Sequence, residues 1–277
     1  MLKQRIITAV LLLAVLLPTL FYPRIEPFGL LTLVLIAAAG WEWARLNGSG
    51  PQASRLLGIG LGVALAVFWW AGGLAQDWRV LWRVLGGVWL VLAFLMLSRG
   101  VQGWAKWPTG LRLWGGLLLI ACAWLALVQA RQIGLGFLLS ALLLVWMADI
   151  AAYFGGKTLG RRKLAPTVSP GKTWEGAISG AVGVFLMAGA WIWADARGWG
   201  DHNSLYVRLW SLGPLLAALG LLYLIVMSVV GDLVESLVKR SAGAKDSSRL
   251  LPGHGGVLDR VDALVPVLPL TMMLATL

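Results

Sequence analysis

The sequence predicts an all-α, polytopic integral-membrane protein with about nine transmembrane helices and a cytoplasmic N-terminus. Three observations carry that expectation. Of the 277 residues 59% are apolar, only 13% are charged, and mean hydropathy is +0.82, where a globular domain has about 25% charged and about 45–50% apolar residues. The apolar residues fall into runs near the ~20 residues that a helix needs to cross ~30 Å of hydrocarbon. Lys and Arg alternate in abundance between successive connections. A soluble enzyme, a coiled coil and a disordered chain are excluded.

The expected spans, in order, are 5–22, 27–46, 56–76, 80–98, 112–130, 133–154, 174–194, 212–232 and 260–277. The first resembles a secretory signal but runs Leu17-Pro18-Thr19-Leu20-Phe21-Tyr22 without a small-x-small cleavage site, so it reads as a retained span. The last is the weakest, because Pro266 and Pro269 interrupt it and Asp259 and Asp262 lie at its start. With the N-terminus inside, 17 of the 23 Lys and Arg fall on the cytoplasmic side and 6 outside, among them Lys3, Arg5, Arg45, Arg55, Lys106 and Arg112 inside and Arg24, Arg79 and Arg131 outside. That asymmetry fixes the orientation and places the C-terminus outside. The 17 Trp and 35 Gly suit interfacial belts and close helix packing, and Gly58/Gly62 and Gly176/Gly180 have small-xxx-small spacing. Cys122, the single cysteine, reads as a packing residue and permits no internal disulfide. A net charge of +11 here points to anionic lipid head groups and anionic substrates, not to nucleic acid.

The chain divides into an N-terminal part, 1–130, of packing and lipid-facing helices, and a C-terminal part, 131–277, with two polar cytoplasmic loops, 155–173 and 233–259. The segment Ser169-Pro170-Gly171-Lys172-Thr173 is not a P-loop, because Pro166 stands where the first glycine is needed. Two readings of the 155–173 loop stay open. It is a basic loop that sets topology and touches anionic lipid, or a positively charged floor for a phosphate-bearing substrate. Asp149 and Glu175, at membrane depth or its edge, favour the second, since carboxylates there need a partner, metal or cavity.

Five of the twelve acidic residues fall within 232–262. On a helix Asp232, Glu235 and Lys239 share a face, with Ser236 and Arg240 beside it, and Asp259 and Asp262 share a face of the next helix. Pro252 and the glycines around His254 form a turn whose N–H groups can approach phosphate oxygens. Carboxylate-bearing helix ends joined by a basic, glycine-rich loop suit Mg²⁺ held between carboxylates and substrate phosphates, with Lys239, Arg240, Lys245 and Arg260 offsetting phosphoryl charge.

The stretch Ser236, Lys239-Arg240, Lys245-Asp246, Leu251-Pro252-x-His254-Gly255-Gly256, Asp259-Arg260-x-Asp262 resembles the signature of the phosphatidate cytidylyltransferase (CDP-diacylglycerol synthase) family. Upstream, Asp149, Tyr153-Phe154, Gly156-Lys157 and Ser169-Pro170-x-Lys172-Thr173-x-Glu175-Gly176 are also similar, so the resemblance covers roughly 145–265. It implies condensation of CTP with phosphatidic acid to CDP-diacylglycerol and pyrophosphate, in the bacterial inner membrane with the active site facing the cytoplasm. The catalytic residues it implies are Asp232, Lys239, Arg240, Lys245, Asp246, Asp259, Arg260 and Asp262. Asp232 and Asp259 would ligate Mg²⁺, and Lys157, Ser169, Lys172, Ser236, His254, Gly255 and Gly256 would bind substrate. A monovalent cation such as K⁺ and a homodimer are implied as well. Alternatives are a related CTP-dependent lipid cytidylyltransferase, a lipid alcohol kinase, or an anion transporter. The unlike halves of the chain count against the transporter.

Overall fold

The computed structural model describes residues 2–277, with the side chains of Leu2, Lys3 and Arg5 outside the description, so the sidedness read from Lys3 and Arg5 is not addressed by it. Eleven helices and one β-hairpin follow one another: α1 Leu2–Phe21, α2 Glu26–Leu46, α3 Pro51–Trp70, α4 Arg79–Ala105, α5 Thr109–Ile133, α6 Leu135–Leu159, β1 Lys163–Ala165, β2 Ser169–Thr173, α7 Trp174–Asp195, α8 Leu205–Ser211, α9 Pro214–Ser241, α10 Leu258–Val261 and α11 Leu264–Leu274. Among the described residues seven helices, α2 to α7 and α9, are long and apolar enough to cross a membrane, and the apolar part of α1, Ile6–Phe21, is shorter. Prolines open α2, α3 and α9 in the first turn, where a missing N–H costs nothing.

The expected run 260–277 is not one regular helix. Pro266 offers no N–H to the carbonyl of Asp262, so the hydrogen-bond ladder lapses between α10 and α11. Asp262 and Ala263 nevertheless keep right-handed helical torsions. The segment is thereby a bent helical path packed on α4, α5 and α9, with Leu264 to Met272 buried. The two polar loops are shorter than expected. Residues 155–159 extend α6, with Gly155 and Gly156 packed closely on Ser179, Thr173 and Gly176; 163–173, which hold Pro166 and Pro170, fold back as the antiparallel hairpin; and 233–241, free of glycine and proline, continue α9 until Gly243.

Connections sort onto two faces, as alternating spans require. On one face Trp43 donates to the carbonyls of Arg112 and Leu113, and Arg45 to that of Ser247. On the other Arg131 donates to Leu20 and Tyr22, Gln129 to Leu74, and Asn203 to Ile133. Leu11, Val34, Leu56, Val80, Phe94, Leu186 and Leu215 point outward, a belt that lipid would cover. Cys122 is buried among apolar neighbours.

Gly176 and Gly180 let α7 lie directly on α6: a Cβ at either would stand 2.8 Å from a carbonyl oxygen, of Ala152 and Ala148 respectively. Gly180→Val should therefore part these helices at a cost of about 1–3 kcal/mol. The apparent melting temperature in detergent should drop by several degrees, while Gly189→Val, which faces open space on the same helix, should leave it unchanged.

Candidate active site

The close α6–α7 contact builds one wall of a cavity of about 490 Å³ that opens on the face carrying the 160–173 and 242–257 connections. On α6, Asp149, Tyr153 and Lys157 recur every four residues and so line one face. The hairpin presents Ser169 and Lys172, and α9 supplies Ile225, Val229 and Asp232. Local hydrogen bonds hold the hairpin in place. Thr173 Oγ1 accepts from Gly176 N at 3.1 Å, capping α7, and the Glu175 carboxylate accepts the N–H groups of Arg161 and Arg162 at 3.0 and 3.1 Å. Four residues expected from sequence, Lys157, Ser169, Lys172 and Asp232, thus meet around one space. Lys172 Nζ lies 2.7 Å from Asp232 Oδ2, and Ser236, one turn on, donates to Oδ1 at 3.2 Å.

A second cluster lies further along α9. Lys239 Nζ stands between Glu235 Oε2 at 2.5 Å and Asp259 Oδ1 at 2.6 Å, all three side chains nearly buried. Neither Glu235 oxygen has a well-directed donor, so that contact is ionic only. Asp259 is fully engaged: its Oδ2 accepts from Ser247 N, Ser247 Oγ and Gly256 N, each at 2.8 Å.

The glycine turn owes its shape to close approach. Gly253 and Gly255 have φ of +77° and +84°, and a side chain at Gly256 would strike Ser247 and Glu42. Within it Arg260 Nε donates to the carbonyl of His254 at 2.9 Å. Asp262 accepts only from Ala263 N, at 2.8 Å, and lines, with Glu235, the base of a largely apolar cleft between α4, α5 and α9. Arg240 turns back to the carbonyl of Ala244, and Lys245 and Asp246 border a separate surface cleft with Arg45 and Arg249. The expected residues therefore form two adjoining clusters and an outer group.

Sequence reasoning missed Glu42, Arg45, Ser247 and Ser248. Glu42 is fully buried and accepts hydrogen bonds from the loop that carries Asp259. Its position inside the apolar run Leu30–Ala44, between Trp41 and Trp43, was a readable signal, because a carboxylate at membrane depth requires partners.

Among the described residues no three His, Cys, Asp or Glu side chains converge as a ready metal cage. The donor chemistry still fits a hard cation. Asp232 borders an open cavity and Asp259 closes the adjoining cluster, and each binds a lysine ammonium through one oxygen. A few carboxylate oxygens beside room for water and phosphate is what Mg²⁺ accepts.

Comparison with known proteins gives a consistent result. A sequence model described as the cytidylyltransferase family matches residues 3–277. Proteins named phosphatidate cytidylyltransferase are 41% identical over 97% of this chain and 95% of their own (Pseudomonas aeruginosa), 36% over 97% and 96% (Haemophilus influenzae), and 38% over 95% and 89% (Brucella suis).

Proposed function

The chain belongs to the cytidylyltransferase family, and from that premise we propose that it condenses CTP with phosphatidic acid, giving CDP-diacylglycerol and pyrophosphate. The observation that carries this reading is the cavity where Lys157, Ser169, Lys172 and Asp232 meet at the end of three spanning helices. Its mouth is polar while Ile225, Val229 and Ala148 continue it downward, so one space receives both a phosphate and an acyl stem.

The reaction joins two anions. A phosphate oxygen of phosphatidic acid attacks the α-phosphorus of CTP, the bond from that phosphorus to the oxygen bridging to the β-phosphate breaks, and pyrophosphate leaves with the electron pair. Lys157 and Lys172 reduce repulsion between the reactants, and the Ser169 hydroxyl donates to a phosphate oxygen. Lys239, Arg240, Lys245 and Arg260 serve the nucleotide's phosphates, with Ser236, His254, Gly255 and Gly256 shaping their approach, and Asp246 and Asp262 stand behind the metal ligands as further carboxylates. Asp232 and Asp259 would hold Mg²⁺, which would supply Lewis-acid charge for the transferring phosphoryl group.

In this reading the N-terminus is cytoplasmic, the site faces the cytoplasm, and the membrane is the bacterial inner membrane. The apolar part of α1 and the bent α10–α11 path, about 25 Å long at 1.5 Å per residue, bring the spans to nine. Residues 1–130 are mainly packing and lipid-facing, residues 131–277 catalytic, and the enzyme is a homodimer, which cross-linking in membranes checks. Terminal tags probed from either side check the orientation.

The test is an end-point assay in mixed micelles. Protein receives CTP and Mg²⁺ with phosphatidic acid or a neutral lipid alcohol, and products are identified by mass. CDP-diacylglycerol formed from phosphatidic acid alone, and lost on chelation, is the expected result. A phosphorylated alcohol would make the protein a kinase, and exchanging K⁺ for Na⁺ in the same assay reads the monovalent-cation requirement.

A further inference from the structure

We propose that Glu42, in the N-terminal helix α2, is a positioning residue that holds the Ser247–Asp259 loop in its working shape. The inference rests on the reading of that loop as part of the cytidylyl-transfer site. It gives α2 a role which neither the signature nor the wall of the cavity contains.

Glu42 is 0% exposed and uses both oxygens on one target. Oε1 accepts from Ser248 Oγ at 2.5 Å and Val257 N at 3.1 Å, and Oε2 from Leu258 N at 2.7 Å and Ser247 Oγ at 3.2 Å. These partners are more than 200 residues away in sequence and lie at the two ends of the glycine turn. The carboxylate therefore staples the start of the loop to the start of α10. One turn along α2, Arg45 donates to the carbonyl of Ser247, so α2 grips this residue at its hydroxyl and its carbonyl.

Ser247 links Glu42 to the site. Its hydroxyl lies 3.2 Å from Glu42 Oε2 and 2.8 Å from Asp259 Oδ2, and its N–H donates to the same Asp259 oxygen. Asp259 in turn holds Lys239. Gly256 leaves the space for this junction, since a Cβ there would strike both Ser247 and Glu42. A buried carboxylate with three donors of its own, and a share of the single Ser247 hydroxyl proton that it divides with Asp259, is far better satisfied than one left alone, and removing its acceptors leaves those donors stranded. The loop's shape and the placement of Asp259 thus depend on a group outside the catalytic half.

The experiment uses the full chain in lipid nanodiscs with Glu42→Gln, Ser248→Ala and the double variant. Glutamine keeps the shape but sets its NH2 against a backbone N–H, that of Val257 or of Leu258, which then has no acceptor. Hydrogen exchange should quicken at least tenfold in peptides spanning 245–259, including the Val257 and Leu258 amides, while α5, α6 and α7 stay as in the parent. Turnover should fall at least tenfold and the KM for CTP should rise, because the loosened loop carries Lys245, His254 and Arg260, while the KM for phosphatidic acid stays within about threefold, because no residue of that loop or of α2 lines the Lys157–Lys172 cavity. Ser248→Ala should show the same pattern more weakly, and adding it to Glu42→Gln should change little. Exchange unchanged across 245–259, or raised throughout the molecule with a lower melting temperature, would overturn the proposal. If the parent made no CDP-diacylglycerol the reaction would be wrong, and the exchange pattern would still decide the role of Glu42.

Discussion

Asp232→Asn should lower turnover at least about 10³-fold, near 4 kcal/mol of lost transition-state stabilisation, in a protein that folds and melts like its parent. The two halves of that expectation come from different features of the same side chain. Asp232 stands on the cavity wall, 30% exposed, with one oxygen on Lys172 at 2.7 Å and the other accepting from Ser236. At that exposure the ion pair adds little to stability, and an amide can still accept from Ser236, so the fold has no reason to fail. The chemistry loses more. A neutral amide cannot hold a divalent cation as a carboxylate does, nor keep Lys172 pointed across the cavity before substrate arrives. The measurement is kcat and KM for CTP over a range of Mg²⁺, beside a melting curve in detergent. Turnover within tenfold of the parent at saturating Mg²⁺ would remove Asp232 from the metal set. A collapsed melting curve would make its role structural.

The legible parts of the molecule were those dictated by chain-local physics. Span 27–46 is matched by α2, Glu26–Leu46, because Pro27 opens the helix and Asn47-Gly48 closes it, all visible in sequence. Helices α6 and α9 instead run beyond their apolar stretches, to Leu159 and Ser241. Hydropathy marks where the hydrocarbon ends and not where the helix does, and Lys239 gains its partners by staying on that helix. Short α8, which follows the 196–204 connection and is closed by Gly213, carried no apolar run long enough to notice. In the site, Lys157, Ser169, Lys172 and Asp232 were legible as residues, but their meeting depends on the glycine-mediated α6–α7 contact and a hairpin that charge patterning cannot show. Glu42 was legible as a buried charge but not by its partners, which lie two hundred residues on. Only the cost of burying its charge pointed to them.

Lys239→Met should be the most damaging single change in the second cluster, and its effects on folding and on catalysis are separable. The lysine is 12% exposed, between Glu235 at 4% and Asp259 at 7%. Removing its charge leaves two carboxylates facing each other away from water. Breaking a buried pair by deleting one partner costs about 3–5 kcal/mol, which for a chain of this size lowers the apparent melting temperature by roughly 10 °C. Asp259 keeps three donors from Ser247 and Gly256 without the lysine, whereas Glu235 keeps no aligned donor, so the stranded charge is mainly that of Glu235. Adding Glu235→Gln to Lys239→Met should therefore restore most of the melting temperature. Turnover should stay at least about 100-fold down in the double variant, because the proposed phosphate partner is still missing. Recovery of turnover together with stability would make Lys239 a strut between two acids, and the phosphate-binding role would pass to Lys157 and Lys172 on the cavity wall.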